Sequence, residues 1–365
     1  MSRQEHDLAP VLDLALSPSP LVVDNLAPAL LQAPATPLRA EMGAMPEADA
    51  LKRRLLTWEA DFVEAKAEAT VRAVRADWGV IAQWCERAKR TLLPLATDDL
   101  VLFLTDMMKL GKKRSTLTRY VSTITLIHGA AGLPSPTFHP RWPLRWNGLC
   151  RKLVKAGKSV PKQAEPLRRN DIESILANLG ESALDLRDAA LLSLAANTLC
   201  RESELVALRL GDIQHTHDRS GWLVEVRESK TDQDGEGDYR FCSLQTKARL
   251  DAWCHRAEIV HPEAFLFVPV GPNAAGPIRD RPLQPAQVAR ILARRARQAG
   301  LEVSFTGHSA RVGSAIALSE DGASTEEIMR SGGWNSIRMV QRYTKKTRAG
   351  RNAMATMTRK HPSGV

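Results

Sequence analysis

Apolar residues recur every three or four positions through residues 50–156, the spacing that places one face of an α-helix in a core. The clearest run is Val71, Val74, Trp78, Ile81 and Trp84. Thr97 and Ser115 precede two further runs, and hydroxyl side chains are favoured at helix N-caps. The pattern therefore predicts four or five short helices, two of them capped by these residues.

The second half of the chain mixes helical and strand patterns. Helical spacing marks residues 171–179, 186–199 and 285–299. Residues 222–226 alternate between apolar and polar positions, and residues 239–244 can return beside them as a second strand. The turn-rich residues 232–238 fit a hairpin tip, and 265–268 is a further strand candidate. The chain is thus predicted to be mainly α with a small β-sheet, an α+β fold.

Prolines and charges divide the chain into four parts. Residues 1–48 contain seven prolines and few aromatic residues, which predicts a flexible tail rich in Pro and Ala. Residues 151–163 contain five basic residues, no acid, and a glycine and a proline that break regular structure. We expect a helical domain at 49–156, a basic linker at 157–163 and a second, mixed domain at 164–365.

The charge of the chain indicates a polyanionic partner. The formal net charge is +10, although residues 1–50 contain two basic and seven acidic residues, so the rest carries 49 basic against 34 acidic residues. Nucleic acid is the first partner that such a basic body suggests, with a generally basic protein as the alternative. No acidic residue follows Glu327.

Cysteines and apolar runs exclude several other classes of protein. The five cysteines are scattered without a CxxC pair, which predicts reduced, buried thiols rather than a zinc site or a disulfide framework. No apolar run approaches the roughly 18 residues that a membrane span needs, and the first residues lack a signal pattern. We expect a cytoplasmic, nucleoid-associated protein.

Cleavage of a phosphodiester without a metal requires a nucleophile, an acid for the leaving oxygen and cations around the phosphate. Guanidinium suits the last role because it is planar, permanently charged and bidentate. Four segments supply such a set: Arg201 with Glu204, Lys230, His308 with Arg311, and Trp334 nine residues before Tyr343. Taken singly, each has an ordinary explanation: an internal ion pair, a solvated lysine, a chance H-x-x-R, or aromatic packing.

In this order and spacing, the four segments resemble the tyrosine recombinase (phage integrase) family. The stretches Gly307–Gly313 and Gly332–Trp334 carry the likeness most clearly, and it spans about residues 50–355. The resemblance implies a helical, SAM-like core-binding domain joined to a tyrosine-recombinase catalytic domain, which together form a C-shaped clamp on duplex DNA. It implies a site-specific recombinase that needs no metal, no cofactor and no ATP.

The resemblance also implies a role for each candidate residue. Tyr343 would be the nucleophile that forms a 3′-phosphotyrosine and frees a 5′-hydroxyl. Arg201 and Arg311 would hold the non-bridging phosphate oxygens, and Lys230 would protonate the departing 5′-oxygen. His308 would hydrogen-bond the phosphate.

Three further features follow from the same resemblance. Trp334 would support the phosphate pocket by packing, and Glu204 would orient its neighbours. Four protomers would assemble on two DNA sites, with the acid-free C-terminal segment docking a helix on the next protomer. The resemblance leaves open whether the exchange serves integration, excision or resolution, and whether accessory proteins take part.

DNA-reading residues are expected on the helix near Ser115, which resembles the family's major-groove helix, and in the basic linker region. The candidates are Lys112, Lys113, Arg114, Arg119, Lys155 and Lys158. Solvated helix charges are the alternative interpretation.

Two other functions remain to be weighed. A type IB topoisomerase shares this chemistry, although the spacing of the motifs and the short chain argue against it. A sequence-specific DNA-binding factor that no longer cleaves is the other, although every catalytic residue type is in place.

Overall fold

A computed structural model describes residues 48–159, 163–227, 237–271, 276 and 281–360. The predicted tail up to residue 47, the centre of the predicted linker and the predicted hairpin tip up to residue 236 lie outside the described residues. The chain divides into two compact units, Met1–Lys162 and Gln163–Val365. Within the described residues, no helix combines the length and the apolar character needed to cross a membrane.

In the first unit, described residues 48–159 form five α-helices and one 3₁₀ turn at Pro136–Phe138. The helices are α1 (Ala48–Ala65), α2 (Glu68–Ala88), α3 (Thr97–Lys109), α4 (Arg114–Ala131) and α5 (Trp142–Lys155). Their apolar faces meet in one core around Trp78, Ile81, Phe103 and Ile124, all essentially inaccessible to solvent. The predicted helical content of this region is confirmed.

Both predicted caps in this unit were wrong by one or two positions. Ala96 and Lys113 occupy the two N-cap positions, so Thr97 and Ser115 lie just inside their helices. The Thr97 hydroxyl is used elsewhere, because it donates to the carbonyl of Pro136 at 2.9 Å. Hydroxyl residues in the first turn can serve a neighbouring loop as well as a helix end.

The second unit is also mainly helical within its described residues. Its α-helices are α6 (Arg169–Ala177), α7 (Ala183–Thr198), α8 (Glu202–Ala207), α9 (Leu244–Ala257), α10 (Pro285–Gln298), α11 (Ser309–Glu320), α12 (Thr325–Gly332), α13 (Ile337–Tyr343), α14 (Lys345–Ala349) and α15 (Ala353–Lys360). Helix α7 is buried along nearly its whole length and packs against α9. The C-terminal end of this central helix leads directly into the candidate active site.

One antiparallel sheet accompanies these helices. Its order is β1 (Ile213–His215), β2 (Trp222–Val226) and β3 (Asp238–Cys242), and Val224 pairs with Ile213 on one side and Arg240 on the other. The predicted small sheet is therefore confirmed. Residues 265–268, predicted as a strand, form only an isolated bridge between Phe265 and Arg209. Their apolar side chains serve the core instead, since Leu266–Val268 are fully buried.

All five cysteines are buried and unpaired, as predicted. Burial raises the pKa of Cys200 to about 11 and that of Cys85 to about 12. Thiols in this state are poor nucleophiles at neutral pH.

Candidate active site

The turn between α7 and α8 positions Arg201. Leu199 adopts a left-handed conformation that ends α7, and Arg201 is then the N-cap residue of α8. The backbone N–H of Arg201 donates to Glu204 Oε2 at 2.7 Å, and its Nη1 donates to the other carboxylate oxygen. Glu204 is only 4% exposed, so the pair neutralises a charge that would otherwise be costly to bury.

Arg311, on the first turn of α11, is almost entirely buried and is anchored on three sides. Its Nη1 donates to the carbonyl of Leu199, and its Nη2 donates to the carbonyl of Gly332 at 2.6 Å. The guanidinium carbon lies 4.1 Å from the centre of the Trp334 ring, a cation–π contact. Burial, followed by the nearby charge of Arg201, lowers the pKa of Arg311 to about 10, which still leaves it protonated at neutral pH.

His308 is the N-cap residue of α11, at the entrance to the same helix. Its pKa is lowered by partial burial and then by the positive charges of Arg311 and Arg201, against a smaller opposing effect of Glu204. A histidine with a lowered pKa is neutral at pH 7, so one ring nitrogen can donate a hydrogen bond while the other accepts.

Trp334 connects Arg311 to Tyr343. The tryptophan follows α12 and is buried, and Tyr343 is the last residue of α13. The two ring centres lie 5.8 Å apart in a tilted arrangement, and both side chains belong to a small apolar cluster with Val340 and Ile328. Packing therefore places the half-buried Tyr343 beside the cationic residues.

The structure brings together most of the residues that the sequence analysis singled out. Arg201, Glu204, His308, Arg311, Trp334 and Tyr343 form one connected group in the second unit. Lys230 lies outside the described residues.

Two residues at this site escaped the sequence analysis. Glu202 accepts a hydrogen bond from the backbone N–H of Gly307, next to His308. Arg240, on β3, is buried and pairs with Asp238 at 2.5 Å. A Cβ built on Gly333, a left-handed residue, would collide with Arg240 Nη2, so the turn before Trp334 packs directly on β3. The contact of Glu202 with Gly307 and that of Arg240 with Gly333 each join positions remote in sequence, and no local motif marks either contact.

The DNA-reading candidates divide into two groups in the first unit. The Arg114 backbone N–H donates to the carbonyl of Lys158, so the start of α4 lies beside the segment after α5. We call the resulting cluster of Lys112, Lys113, Arg114 and Lys158 the basic patch. Its members are exposed apart from the half-exposed Lys112, and Lys155 is an exposed neighbour on the last turn of α5.

Arg119 does not belong to this group. Its Nε and Nη2 donate to the two carboxylate oxygens of Asp77 at 2.6 and 2.7 Å. Asp77 is only 2% exposed, so Arg119 is the partner of a buried acid. The Arg119 side chain is nonetheless 55% exposed, so its ion pair with Asp77 serves the fold while the expectation that Arg119 reads DNA stays a prediction.

Comparison with known proteins gives a consistent picture. Residues 165–349 match the phage integrase family. The chain is 27% identical over 288 residues to recombinase Cre of Escherichia phage P1, covering 76% of this chain and 83% of Cre. It is 28% identical over 292 residues to an integrase/recombinase XerD homolog of Selenomonas ruminantium, covering 77% of this chain and 82% of the relative.

Solved structures share the fold at lower identity. XerH site-specific recombinase bound to a palindromic difH substrate, in a post-cleavage complex, aligns with a TM-score of 0.56 at 12% identity, covering 89% of this chain and 93% of XerH. A lambda integrase dimer bound to a COC′ core site aligns with a TM-score of 0.52 at 17% identity, covering 80% and 76% of the two chains.

Proposed function

This chain belongs to the phage integrase family, and from that premise we propose that it is a site-specific DNA recombinase that cuts and rejoins duplex DNA through Tyr343. The observation that carries the proposal is the position of Trp334, whose ring contacts both the buried guanidinium of Arg311 and the ring of Tyr343. The Trp334 ring thereby holds the hydroxyl nucleophile of Tyr343 close to the fixed guanidinium of Arg311.

In the proposed cleavage step, the Tyr343 oxygen attacks the scissile phosphorus and loses its proton. The bond from phosphorus to the 5′-oxygen breaks, which leaves a 3′-phosphotyrosine and a free 5′-hydroxyl. Lys230, implied as the acid by the family resemblance, gives the 5′-oxygen its proton. Because the phosphodiester is exchanged rather than hydrolysed, the reverse attack by a 5′-hydroxyl reseals the strand without ATP.

Arg201 and Arg311 stabilise the charge that builds up on the phosphate oxygens. Each terminal nitrogen of a guanidinium carries two hydrogens, so the bonds from Arg311 to two carbonyls leave further N–H groups for a phosphate. Glu204 holds Arg201 by its backbone and its side chain. Neutral His308, at the N-terminus of α11, can donate to the phosphate or accept the tyrosine proton.

Strand exchange requires a second duplex, and we propose a tetramer on two DNA sites. The segment from Lys345 to Lys360 contains no acid, and Met354 and Met357 are exposed on α15, 62% and 46% respectively. The second unit also has an open groove of about 600 Å³, lined by apolar residues such as Leu176 and Phe241 together with two acids and three arginines. A helix with exposed apolar residues on one face suits the apolar part of this groove on a second copy.

DNA binding is proposed to use both units. The helical domain at 49–156 and the catalytic domain at 164–365 would close around the duplex through the linker at 157–163. The basic patch and Lys155 would contact the phosphate backbone or base edges in the first domain. Such a protein would act in the cytoplasm on nucleoid DNA.

Adduct formation on nicked suicide substrates tests this proposal. The protein is incubated with DNA flanking its own gene, in EDTA and without ATP, and the covalent product is resolved on a denaturing gel. We expect a protein–DNA band whose attachment maps to Tyr343 by mass spectrometry.

Tyr343→Phe should retain DNA binding and form no adduct, because only the nucleophilic oxygen is removed. Residual adduct in that variant would assign the nucleophile to another residue. Adduct formed equally on unrelated DNA would favour a topoisomerase over a recombinase.

A further inference from the structure

Glu202 contacts the candidate active site, but none of the roles proposed above involves this residue. It is the first residue of α8, adjacent to Arg201, and its carboxylate accepts a hydrogen bond from the Gly307 backbone N–H. A Cβ built on Gly307 would overlap Glu202 Oε1, so the carboxylate rests directly against this glycine. The contact joins two chain segments, one carrying Arg201 and the other carrying His308 and Arg311.

The usual reason for an acid at a helix N-terminus does not account for Glu202. The backbone N–H of the N-cap residue of α8 already has an acid as its acceptor, because Arg201 N–H donates to Glu204. Glu202 is half-buried, and burial raises its pKa, whereas the hydrogen bond from Gly307 lowers it. A carboxylate beside a phosphate-binding site also repels the substrate. Its position is unfavourable unless the contact with Gly307 is itself useful.

The contact adds a tie between the two segments at a place that the other ties do not reach. Arg311 Nη1 donates to the carbonyl of Leu199, and Ser314 Oγ donates to the carbonyl of Ala196 at 2.6 Å, both from within α11. Glu202 instead contacts the chain before the helix begins, so residues 307 and 311 are both held. His308 lies between these anchor points and has no side-chain capping bond to hold it.

We propose that Glu202 is a positioning residue that, by accepting the Gly307 N–H, fixes the His308 turn relative to Arg201. The inference rests on the proposed function, since His308 is taken to act on the phosphate. Glu202 itself touches neither the phosphate nor the tyrosine in this role. A misplacement of about 1 Å in a catalytic group can reduce a rate on the order of 100-fold.

Two variants of Glu202 separate the hydrogen bond from the charge. Glu202→Gln keeps an acceptor oxygen at the same distance, and Glu202→Met keeps the length without an acceptor. Both remove the negative charge, so their difference reports the hydrogen bond alone. Glu326→Met, an exposed first-turn acid of α12, controls for the loss of an acid at a helix N-terminus.

Single-turnover adduct formation on the suicide substrate is measured at saturating protein. We expect Glu202→Met to react at least about tenfold more slowly than Glu202→Gln, with equal DNA affinity and equal thermal midpoints. Glu326→Met should match the wild type. If Glu202→Met and Glu202→Gln react equally fast, the positioning role is wrong. Wild-type protein that forms no adduct would instead overturn the proposed function, and this role with it.

Gly307→Ala gives an independent test that keeps the Glu202 side chain. Its methyl group must displace the carboxylate, so the variant should slow cleavage as Glu202→Met does. Because both changes break the same bond, the double variant should be no slower than either single variant. Rate losses that multiply would contradict the proposal. Hydrogen exchange of the Gly307 amide, faster in Glu202→Met than in Glu202→Gln, reports the bond without any DNA.

Discussion

Arg311 shows why an arginine rather than any cation occupies this position. Its two terminal nitrogens donate to carbonyls from separate segments, at Leu199 and Gly332, while its flat face lies on Trp334. A planar fork with several donors can satisfy these contacts at once. A lysine ammonium is a single point charge and cannot span them.

Arg311→Lys should therefore lose cleavage while keeping the charge. We expect single-turnover adduct formation to fall at least about 100-fold, the scale for removing one fixed donor to a developing oxyanion. Arg338→Lys, at an exposed arginine of α13, should change the rate little and serves as the control. A rate for Arg311→Lys within threefold of the wild type would show that charge alone suffices.

His128 makes the first unit sensitive to acid. It is fully buried, its Nδ1 donates to the Ile124 carbonyl at 2.7 Å, and its Nε2 accepts from the Leu95 N–H at 3.0 Å. The bond accepted at Nε2 requires the neutral ring, and burial lowers the pKa of His128 below its usual value, against a smaller opposing effect of the Ile124 carbonyl. The unfolded chain therefore binds a proton more readily than the folded one, so stability falls as the pH drops below about 6.5.

Denaturant unfolding at pH 7.5 and 5.5 checks this expectation. The wild type should lose up to about 1.4 kcal/mol of unfolding free energy per pH unit from this residue. His128→Gln, which can still donate and accept, should show less pH dependence. His308 also has a lowered pKa but is present in both proteins, so it cancels in the comparison. Equal pH slopes would remove His128 as the source.

At the scale of elements, α4 carries two kinds of basic residue that look alike in the sequence. Lys113 and Arg114 are exposed at its start, whereas Arg119, one turn further along, is bound to buried Asp77. We expect mainly the first kind to release counterions from DNA on binding, because the charge of Arg119 is already balanced by Asp77.

Salt dependence of DNA binding distinguishes them. Lys113→Ala and Arg114→Ala should each weaken binding and reduce the slope of log K against log salt by about one if each contacts a phosphate. Arg119→Ala should leave that slope unchanged and instead destabilise the first unit by about 1–3 kcal/mol, because buried Asp77 loses its partner. An unchanged slope in both patch variants would place the DNA surface elsewhere.

Long periodic elements could be predicted from the sequence, and short or buried ones could not. Trp222–Val226 alternates over five residues and was predicted with its observed bounds, whereas the three residues of β1 are too few to show a period. Residues 265–268 were predicted as a strand because a short apolar run fits either a buried strand or a buried loop. The role of Arg119 depended on Asp77, 42 positions away.

At the scale of the molecule, the candidate active site is assembled from segments that meet only on folding. Spacing within each segment and a family resemblance located Arg201, His308, Arg311, Trp334 and Tyr343, which the structure brings together. Glu202 carried no such signal, because its partner is a backbone N–H. Any residue type can offer a backbone group, so a sequence pattern cannot reveal such a contact.

Assembly on DNA gives the test at this scale. Met354 and Met357 lie three residues apart on α15, so they share one face, and both are exposed. If this face enters the groove of a second copy, Met354→Ser with Met357→Ser should leave the affinity for an isolated half-site unchanged. Binding of further protomers to a full site should weaken at least about tenfold, since two buried methionines contribute about 3 kcal/mol or more.

Native gels with half-site and full-site DNA measure the half-site affinity and the binding of further protomers. Recombination between two full sites should fall together with the binding of further protomers. Thr358→Ser, at an exposed position of the same helix, should assemble normally. Phe241→Ser is the matching variant in the groove, where it removes an exposed aromatic side chain. In a mixture of the Phe241→Ser protein and the Met354→Ser, Met357→Ser protein, each mixed dimer keeps one pair of an intact α15 and an intact groove. Assembly should recover in part only if α15 of one protomer enters the groove of the next. A mixture as defective as either protein alone would assign both surfaces to contacts within one chain.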